Sequence, residues 1–465
     1  MLLYVYGSIL PAKDKEDKKM NIIIAGDGEV GLFLAEELAD ENHNITIVDP
    51  HEDLLKMVES HSDIMAIAGN STSISVLKRA NIKKTDLLVS VVHDEQINII
   101  TALLGKKLGA KRTIARVNST DNLSVESRGI FKSLGIDELV CPENIAAHEI
   151  INLINHSAAT EIFEFSDKKL SIYLIKLEED APVANKNLYQ ISQQYPHLDF
   201  RAIAIHRNSK TIIPSGNDVL LPNDLIYIIT KPEGVDDLLI LSGKRKIDIK
   251  SIMIAGGGRV GRTAAKQLRK GLNVKLIEKD KKKCLELSDF YDETLVINGD
   301  ASDIKLLEEE GLRSFDAFVS VTNNSETNIL TCLHAKKFGV KKTIALVENI
   351  DYIGISQSIG IDTIINKKLI TASYIAKFTK PLKTKSIKCL SGTNAEVIEF
   401  VANPRSAVTK HPICKLKIPE GAIIGGIIRG RKSYIAIGDF QIKENDKVVV
   451  FSLPEALKKV EKLFD

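Results

Sequence analysis

The chain has 465 residues, which at about 150 residues per domain predicts roughly three domains. Apolar residues make up 44% and charged residues 27%, ordinary globular values that exclude an intrinsically disordered or fibrous chain. The 63 Lys and Arg nearly balance the 61 Asp and Glu, so the overall charge gives no electrostatic support for nucleic acid as a partner.

Cysteine usage, histidine spacing and hydropathy exclude further classes. Five scattered cysteines without a C-x-x-C pair fit a reduced cytoplasmic protein, and the ten histidines show no metal-ligand spacing. No run approaches the ~18 to 20 apolar residues of a membrane-spanning helix, so we expect a soluble chain. Residues 1–19 lack the features of a secretory signal and include a charged run, so we expect a disordered extension there.

The first predicted unit alternates short β-branched runs with amphipathic stretches. Strands without a period of two suit a parallel sheet covered on both faces, which predicts an α/β, doubly wound, Rossmann-like domain. The strands are expected near residues 21–25, 45–49, 64–68, 86–91 and 112–117. A helix at 143–158 then leads into a small α+β module, whose short strands are separated by turn residues.

The second part of the chain repeats the first. Residues 21–38 align with 251–268 with nine identities in eighteen, and residues 87–117 align with 317–347 with fifteen in thirty-one, both at an offset of 230. The duplication predicts an extension at 1–19, a Rossmann-like domain at 20–142, a helix and small domain at 143–231, a linker at 232–250, a second Rossmann-like domain at 251–370, and a connecting segment and second small domain at 371–465.

A G-x-G-x-x-G motif follows the first strand and opens a helix. Gly26 permits the tight turn, Gly28 lets the backbone approach a pyrophosphate, and Gly31 allows close helix packing. Asp49 ends the second strand, where its carboxylate would accept hydrogen bonds from an adenosine ribose and repel a 2′-phosphate. The motif therefore favours NAD or another adenine nucleotide over NADP. The second copy repeats the pattern with Gly256, Gly258, Gly261 and Glu278.

The order of elements, the motifs GDGEVG and GGGRVG, the strand-end acids and the segment TIARV closely resemble the TrkA family over residues 20–465. Each half resembles an RCK unit, a TrkA-N domain followed by a TrkA-C domain. The resemblance implies nucleotide contacts in the first half at Gly26, Asp27, Gly28, Glu29, Val30, Gly31, Asp49, Gly69, Asn70, Val92, His93 and Arg116. In the second half it implies contacts at Gly256, Gly257, Gly258, Arg259, Val260, Gly261, Glu278, Gly299, Asp300, Thr322 and Asn323.

Several of these residues carry a physical argument or depart from the family pattern. The Arg116 guanidinium could reach a phosphate with two hydrogen bonds, whereas Leu346 occupies the corresponding position in the second half. Asn70 replaces a frequent acid of the family. His93 is expected to be a polar loop residue rather than a catalytic base, and the basic pair at 106–107 and its repeat at 336–337 are expected to be solvated.

The resemblance implies a regulatory subunit that binds NAD or NADH, or ATP or ADP, and gates a TrkH- or TrkG-type potassium-translocating membrane protein. It further implies a homotetramer, without catalytic or metal-ligating residues, at the cytoplasmic face of the inner membrane. Two alternatives remain open from the residues, an NAD-dependent oxidoreductase and an RCK-type regulator of a different channel or transporter. The small modules leave little room to enclose a substrate, which disfavours the oxidoreductase.

Overall fold

A computed structural model describes residues 19–26, 28–40, 43–53, 55, 64–155, 161–165, 169–196, 199–208, 210–243, 248–290, 294–376, 378–379, 384–389 and 395–464. Most of the predicted N-terminal extension, residues 1–18, lies outside these ranges, as do residues 156–158 of the predicted connecting helix. The chain divides into two compact units, residues 1–141 and 142–465, and each is described by itself.

The first unit contains a parallel six-stranded sheet in the order β3-β2-β1-β4-β5-β6. Its strands are β1 Asn21–Ala25, β2 Asn44–Asp49, β3 Ile64–Ala68, β4 Leu87–Ser90, β5 Arg112–Arg116 and β6 Glu138–Val140. The five predicted strands are confirmed, with ends that shift by one residue or less. Leu87, Leu88 and Val89 are all inaccessible to solvent, because helices cover both faces of the sheet.

The helices of this unit are α1 Glu29–Asp40, α2 Ile74–Arg79, α3 Glu95–Leu108 and α4 Val125–Leu134. Helix α3 begins at an Asp94 cap, whose carboxylate accepts from the N–H groups of Gln96 and Ile97 at 2.7 and 3.2 Å. It ends at Gly109, where φ is +119°. These caps set the two ends of α3, which packs against β4 and β5.

The second unit begins with α5 Pro142–Asn155 and a small antiparallel sheet. The strands of this sheet are β7 Glu161–Phe165, β8 Leu170–Lys176, β9 Phe200–Arg207, β10 Lys210–Ile212 and β11 Leu225–Thr230, in the order β10-β9-β11-β8-β7. Two short helices accompany it, α6 Leu188–Gln194 and α7 Val235–Leu241. Helix α7 lies in the segment that the sequence predicts to be a linker.

A second parallel sheet repeats the topology of the first. Its strands, in the order β14-β13-β12-β15-β16-β17, are β12 Ser251–Ala255, β13 Asn273–Glu278, β14 Thr294–Asn298, β15 Ala317–Ser320, β16 Lys342–Leu346 and β17 Thr363–Ile365. Its helices are α8 Arg259–Leu268, α9 Lys281–Phe290, α10 Ile304–Glu309, α11 Ser325–Lys337, α12 Asp351–Ser358 and α13 Lys367–Ala376. In both parallel sheets the strand order reverses beside the first strand, which opens a crevice at the carboxyl ends.

The chain ends with a second small antiparallel sheet and α14 Pro454–Phe464. The strands, in the order β18-β19-β22-β20-β21, are β18 Thr384–Cys389, β19 Glu396–Val401, β20 Ala422–Arg429, β21 Lys432–Ile435 and β22 Lys447–Ser452. None of the helices within the described ranges is both long and apolar enough to cross a membrane.

The two small sheets pack against each other through one apolar cluster. Leu170 and Ile229 of the first sheet and Val449 and Phe451 of the second belong to it. The Lys169 Nζ atom donates to the Gly430 carbonyl at 2.9 Å across the same contact. The predicted fold class, two Rossmann-like sheets each followed by a small α+β domain, is confirmed.

Candidate functional site

The first glycine-rich loop joins β1 to α1 and is closed by contact between its outer glycines. A Cβ atom on Gly26 would lie 2.8 Å from the Gly31 Cα atom, and one on Gly31 would lie 2.9 Å from the Gly26 Cα atom. Neither position therefore accepts a side chain without movement of the backbone. The predicted contact Asp27 lies outside the described residues, as does the side chain of Glu29, whose backbone begins α1.

A histidine from the end of β4 borders this loop. A Cβ atom on Gly28 would lie 3.3 Å from the Cε1 atom of His93, which is itself exposed and follows the buried Val92. The Gly28 carbonyl accepts from the Leu32 N–H at 3.2 Å, so α1 starts directly at this glycine, and Val30 lies in its first turn. Gly28 and His93, two predicted nucleotide contacts from separate segments of the chain, are therefore neighbours.

Asp49 ends β2 with its side chain almost fully buried. It is 2% exposed, and its Oδ1 atom accepts from the backbone N–H of His51 at 2.7 Å and lies 3.0 Å from the His51 Nδ1 atom. The Asp49 carbonyl also accepts from the Gly69 N–H at 3.0 Å, which ties the ends of β2 and β3 together. The carboxylate is thus held at the crevice edge, where a ribose would bind.

The turn after β3 places Asn70 at the surface. Its Oδ1 atom accepts from the N–H and hydroxyl of Thr72 at 2.9 and 2.8 Å. Gly69 has a φ of +150°, and a Cβ atom there would lie 2.7 Å from the Val76 Cγ2 atom. Packing against α2 therefore favours glycine at this position.

A buried amide that the sequence analysis missed joins the ends of β4 and β5. Asn98 in α3 is inaccessible to solvent, and its Oδ1 atom accepts from the Ser90 hydroxyl and the Val92 N–H at 2.9 and 2.8 Å. Its Nδ2 group donates to the carbonyls of Val92 and Arg116 at 2.8 and 3.0 Å. Arg116 itself, at the end of β5, is 8% exposed. Asn98 therefore fixes two segments that carry predicted nucleotide contacts.

The second glycine-rich loop joins β12 to α8, and its first glycine, Gly256, has a φ of +106°. A Cβ atom on Gly261 would clash with the Gly256 carbonyl oxygen, whereas one on Gly258 would meet nothing within 4 Å. Gly258 is the residue before α8, and Arg259 and the buried Val260 open that helix. Open space at Gly258 is what the approach of a pyrophosphate requires.

Glu278 ends β13 and reaches into this loop. It is 8% exposed, its Oε2 atom accepts from the Gly257 N–H at 2.9 Å, and its Oε1 atom accepts from the Asp280 N–H at 2.9 Å. The Gly299 N–H donates to the Glu278 carbonyl at 2.9 Å, as the equivalent glycine does in the first half. The longer side chain of Glu278 thus contacts the loop backbone.

The remaining predicted contacts of the second half follow β14 and β15. Hydrogen bonds from the N–H and hydroxyl of Ser302, at 2.9 and 2.8 Å, hold the pKa of Asp300 below its usual value. The Thr322 N–H donates to the Asn328 Oδ1 atom at 2.9 Å, and Asn323 is exposed. The carboxyl ends of the strands therefore bring these residues to the same edge as the loop.

Asn328 in α11 repeats the role of Asn98. Its Oδ1 atom also accepts from the Ser320 hydroxyl at 2.9 Å, and its Nδ2 group donates to the carbonyls of Thr322 and Leu346 at 3.0 and 2.8 Å. The signal for both residues was present in the sequence, because a polar asparagine stands at the same position of both copies in a helical stretch that is otherwise mostly apolar.

The two sites differ in where they carry charge. The first has Glu29 in its loop and Arg116 at the end of β5, whereas the second has Arg259 in its loop and Leu346 at the end of β16. The arginine therefore ends the fifth strand of the domain in the first half and opens the first helix of the domain in the second half.

One lysine of each basic helical pair remains partly exposed, as expected, and also forms an ion pair. The Lys106 Nζ atom lies 2.8 Å from the Asp137 Oδ2 atom, and the Lys336 Nζ atom lies 2.6 Å from the Asp362 Oδ1 atom. Asp137 follows α4 in the chain, a separation that helical periodicity does not reveal. These lysines fix the loops before β6 and β17.

No ligand set for a metal is evident in the part of the chain that the structure describes, since no three His, Cys, Asp or Glu side chains there are grouped to hold an ion. The groups at both crevices are backbone N–H groups, buried carboxylates and arginines, which suit a nucleotide rather than a metal.

Comparison with known proteins agrees with the fold and its duplication. The TrkA-N domain family matches residues 22–142 and 252–367, and the TrkA-C domain family matches residues 172–241 and 397–465. "Trk system potassium uptake protein TrkA homolog 1" of Methanosarcina mazei is 32% identical over 96% of this chain and 100% of its own. "Trk system potassium uptake protein TrkA" of Haemophilus influenzae is 33% identical over 96% of this chain and 98% of its own.

Among solved structures, "GsuK channel bound to NAD" has a TM-score of 0.60 and 18% identity, over 97% of this chain and 79% of the GsuK chain. At that identity the likeness shows the fold alone. The two domain families and the relatives span both halves. The chain therefore belongs to the TrkA family, with one TrkA-N and one TrkA-C domain in each half.

Proposed function

We propose that this chain is the nucleotide-binding regulatory subunit of a potassium uptake system. An adenine nucleotide binds at the glycine-rich loops and changes potassium flux through a TrkH- or TrkG-type membrane subunit. The observation that carries the proposal is the duplicated crevice, with a glycine-rich loop and a buried strand-end acid in each copy, in a chain whose relatives are named for potassium uptake.

The strand-end acids support NAD or NADH, with ATP and ADP as further effectors. Asp49 and Glu278 are both buried carboxylates at the edge where a ribose would bind, and a 2′-phosphate there would meet a negative charge. The related GsuK structure is described as bound to NAD, which is consistent with the same class of ligand.

Regulation is a better account of the site than redox catalysis. His93 lies against the first loop, and Asn323 stands at its position in the second half. A hydride-transfer enzyme needs an acid or base beside the reacting carbon, and this histidine does not recur in the second copy. Such a site can instead sense a ligand.

Sensing requires that a nucleotide bind one conformation of the regulator more tightly than another. We propose that NADH, NAD, ATP and ADP have unequal affinities for the two conformations, and that the difference biases the membrane subunit. The regulator acts as a homotetramer attached to the cytoplasmic face of the inner membrane. Assembly into a ring lets several weak contacts with the membrane subunit act together. The near-neutral charge of +2 would not supply the affinity for that subunit by itself.

Potassium flux in membrane vesicles that contain the partner subunit tests the proposal. Addition of the wild-type chain should make the flux depend on adenine nucleotide, and the double variant Gly28→Ala, Gly258→Ala should remove that dependence. An alanine at 258 meets no atom within 4 Å in the protein, so we expect this change to hinder the approach of a ligand without disturbing the fold.

The matched control is the double variant Gly129→Ala, Gly354→Ala, because both glycines lie in helices and an added Cβ atom meets nothing within 4 Å at either. It should respond as the wild type does. A flux that ignores nucleotide with the wild-type chain, or that keeps its response in the Gly28/Gly258 variant, would contradict the proposal.

A further inference from the structure

The second glycine-rich loop faces a carboxylate from the connecting helix. The Glu143 Oε1 atom, at the start of α5, lies 4.0 Å from the Nη1 atom of Arg259, the first residue of α8. The Glu143 side chain is 10% exposed, whereas that of Arg259 is 47% exposed. A mostly buried carboxylate thus lies beside a guanidinium that solvent and ligands can reach.

Packing between the two helices fixes this arrangement. Ala147 and Ile150 of α5 and Ala264 of α8 belong to one apolar cluster, and all three are inaccessible to solvent. Small residues at the contact let the helices approach closely, which brings the start of α5 to the start of α8. Glu143 therefore has little freedom to move away, whereas the long Arg259 side chain can turn toward the crevice.

Arg259 is placed to contact a phosphate. It directly follows Gly258, where the N–H groups of the first turn of α8 favour an anion. Leu346 removes the guanidinium that the first half carries at the end of β5. Arg259 therefore offers the second site a guanidinium next to its glycine-rich loop, whereas the first half carries Arg116 at the end of β5.

We propose that Glu143 sets the phosphate affinity of the second nucleotide site by competing for Arg259. Without nucleotide, the Glu143 carboxylate attracts the Arg259 guanidinium. A bound nucleotide draws the guanidinium toward the phosphates and away from Glu143. An ion pair at 4.0 Å with a half-exposed partner is weak, so the exchange is reversible. The inference rests on the proposed function, and Glu143 acts through Arg259 rather than on the ligand itself.

The position of Glu143 gives the exchange a regulatory meaning. It is the second residue after Cys141, where the first unit ends and the connecting helix starts. Nucleotide at the second loop would draw Arg259 away from this carboxylate at the start of the connecting helix. By linkage, any movement that draws Glu143 away from Arg259 raises the affinity of the second loop for nucleotide.

Calorimetric titration of the full chain with ADP and with adenosine tests the proposal. All proteins carry Gly28→Ala, so that binding reports the second loop. Glu143→Gln keeps the size of the side chain but removes its charge, and should tighten ADP binding roughly two- to fivefold at low salt. Adenosine lacks phosphate, so its affinity should not change, and the gain for ADP should shrink as salt rises.

Arg259→Gln completes a double-mutant cycle. In that background Glu143→Gln should have no effect on ADP, because the guanidinium for which it competes is gone. Glu149→Gln, on the same helix, is the matched control and should leave both affinities unchanged. An equal gain for adenosine, no gain for ADP, or a gain that persists without Arg259 would overturn the proposal.

Failure of this proposal is distinguishable from failure of the proposed function. Absence of ADP binding to the Gly28→Ala chain would overturn the role of Glu143. Nucleotide binding to the Gly258→Ala chain, which reports the first loop, would then still support a nucleotide-binding regulator.

Discussion

The buried asparagine of α3 is expected to affect both nucleotide binding and the stability of the protein. Asn98 satisfies the Val92 N–H and two carbonyls at the crevice edge, so its loss would leave several buried polar groups unpaired. Each such group costs about 1–3 kcal/mol. We expect Asn98→Ala to destabilise the protein by roughly 3 kcal/mol and to weaken nucleotide binding at the first loop alone.

Asn328→Ala provides the comparison for this prediction. It should cause a similar loss of stability, because Asn328 makes the same bonds in the second half, but should weaken nucleotide binding only at the second loop. Thermal unfolding and nucleotide titration of both variants measure the two effects. Wild-type affinity at the first loop in Asn98→Ala would show that the crevice edge does not depend on this amide.

Some contacts of single residues are predictable from the sequence and others are not. The glycines were predictable, because the turn between a strand and a helix needs Gly26 and Gly31 in close contact. The pairing of Glu143 with Arg259 was not, because the two residues are far apart in sequence and meet only through helix packing. The contact between Glu278 and the Gly257 N–H depends on a side-chain rotamer, which no sequence pattern encodes.

At the scale of elements, an aspartate fixes the start of β12 against the start of β15. The Asp316 carboxylate accepts from the Lys341 ammonium at 2.8 Å and from the N–H groups of Lys250 and Ser251 at 2.9 and 3.1 Å. In the first half Asp86 holds the Asn21 N–H and Lys111 in the same way. This set of hydrogen bonds is therefore shared by both Rossmann-like domains.

The lowered pKa of Asp316 predicts that the stability of the protein depends on pH. Burial raises the pKa of Asp316, but the hydrogen bonds outweigh it and lower the pKa to about 2, from the ordinary 3.8. A depressed folded-state pKa gives stability that is complete above the unfolded value. It is lost as the pH falls from about 4 to 2. Asp316→Asn should lower the thermal midpoint at neutral pH and flatten its fall in this acid range.

Exposed Asp439→Asn is the control for Asp316→Asn, and its midpoint should follow the wild-type curve at every pH. Thermal unfolding between pH 2 and 7 measures all three proteins. Parallel curves for Asp316→Asn and the wild type would mean that this carboxylate does not contribute to acid unfolding.

The central strands β1 and β4 were predictable from sequence because burial on both faces favours runs of apolar residues, as at residues 22–25 and 87–89. The small sheets were predictable as short strands and turns, but their mutual packing was not. Apolar alternation shows that a sheet has a buried face without showing what covers it. The cover is the other small sheet, which comes more than 200 residues later in the chain.

At the scale of the whole molecule, this packing joins the two copies of the small domain. Two adjacent glycines of β20 permit the close approach of the sheets. A Cβ atom on Gly425 would lie 3.2 Å from methyl groups of Ile203 and Ile229, and one on Gly426 would lie 2.6 Å from the Leu170 Cδ1 atom. Gly426 thus sits where the first small sheet leaves no room for a side chain.

Replacement of Gly426 by valine should therefore force the two small sheets apart. Overpacking of a dense core typically costs about 1–3 kcal/mol, and the Tyr434 carbonyl, 3.2 Å from the added Cβ atom, limits movement on the other side. We expect a lower thermal midpoint and greater binding of a dye that reports apolar surface. Gly354→Val, at an open helix position, should change neither. A Gly426→Val protein as stable as the wild type would mean that the two small sheets can separate without cost.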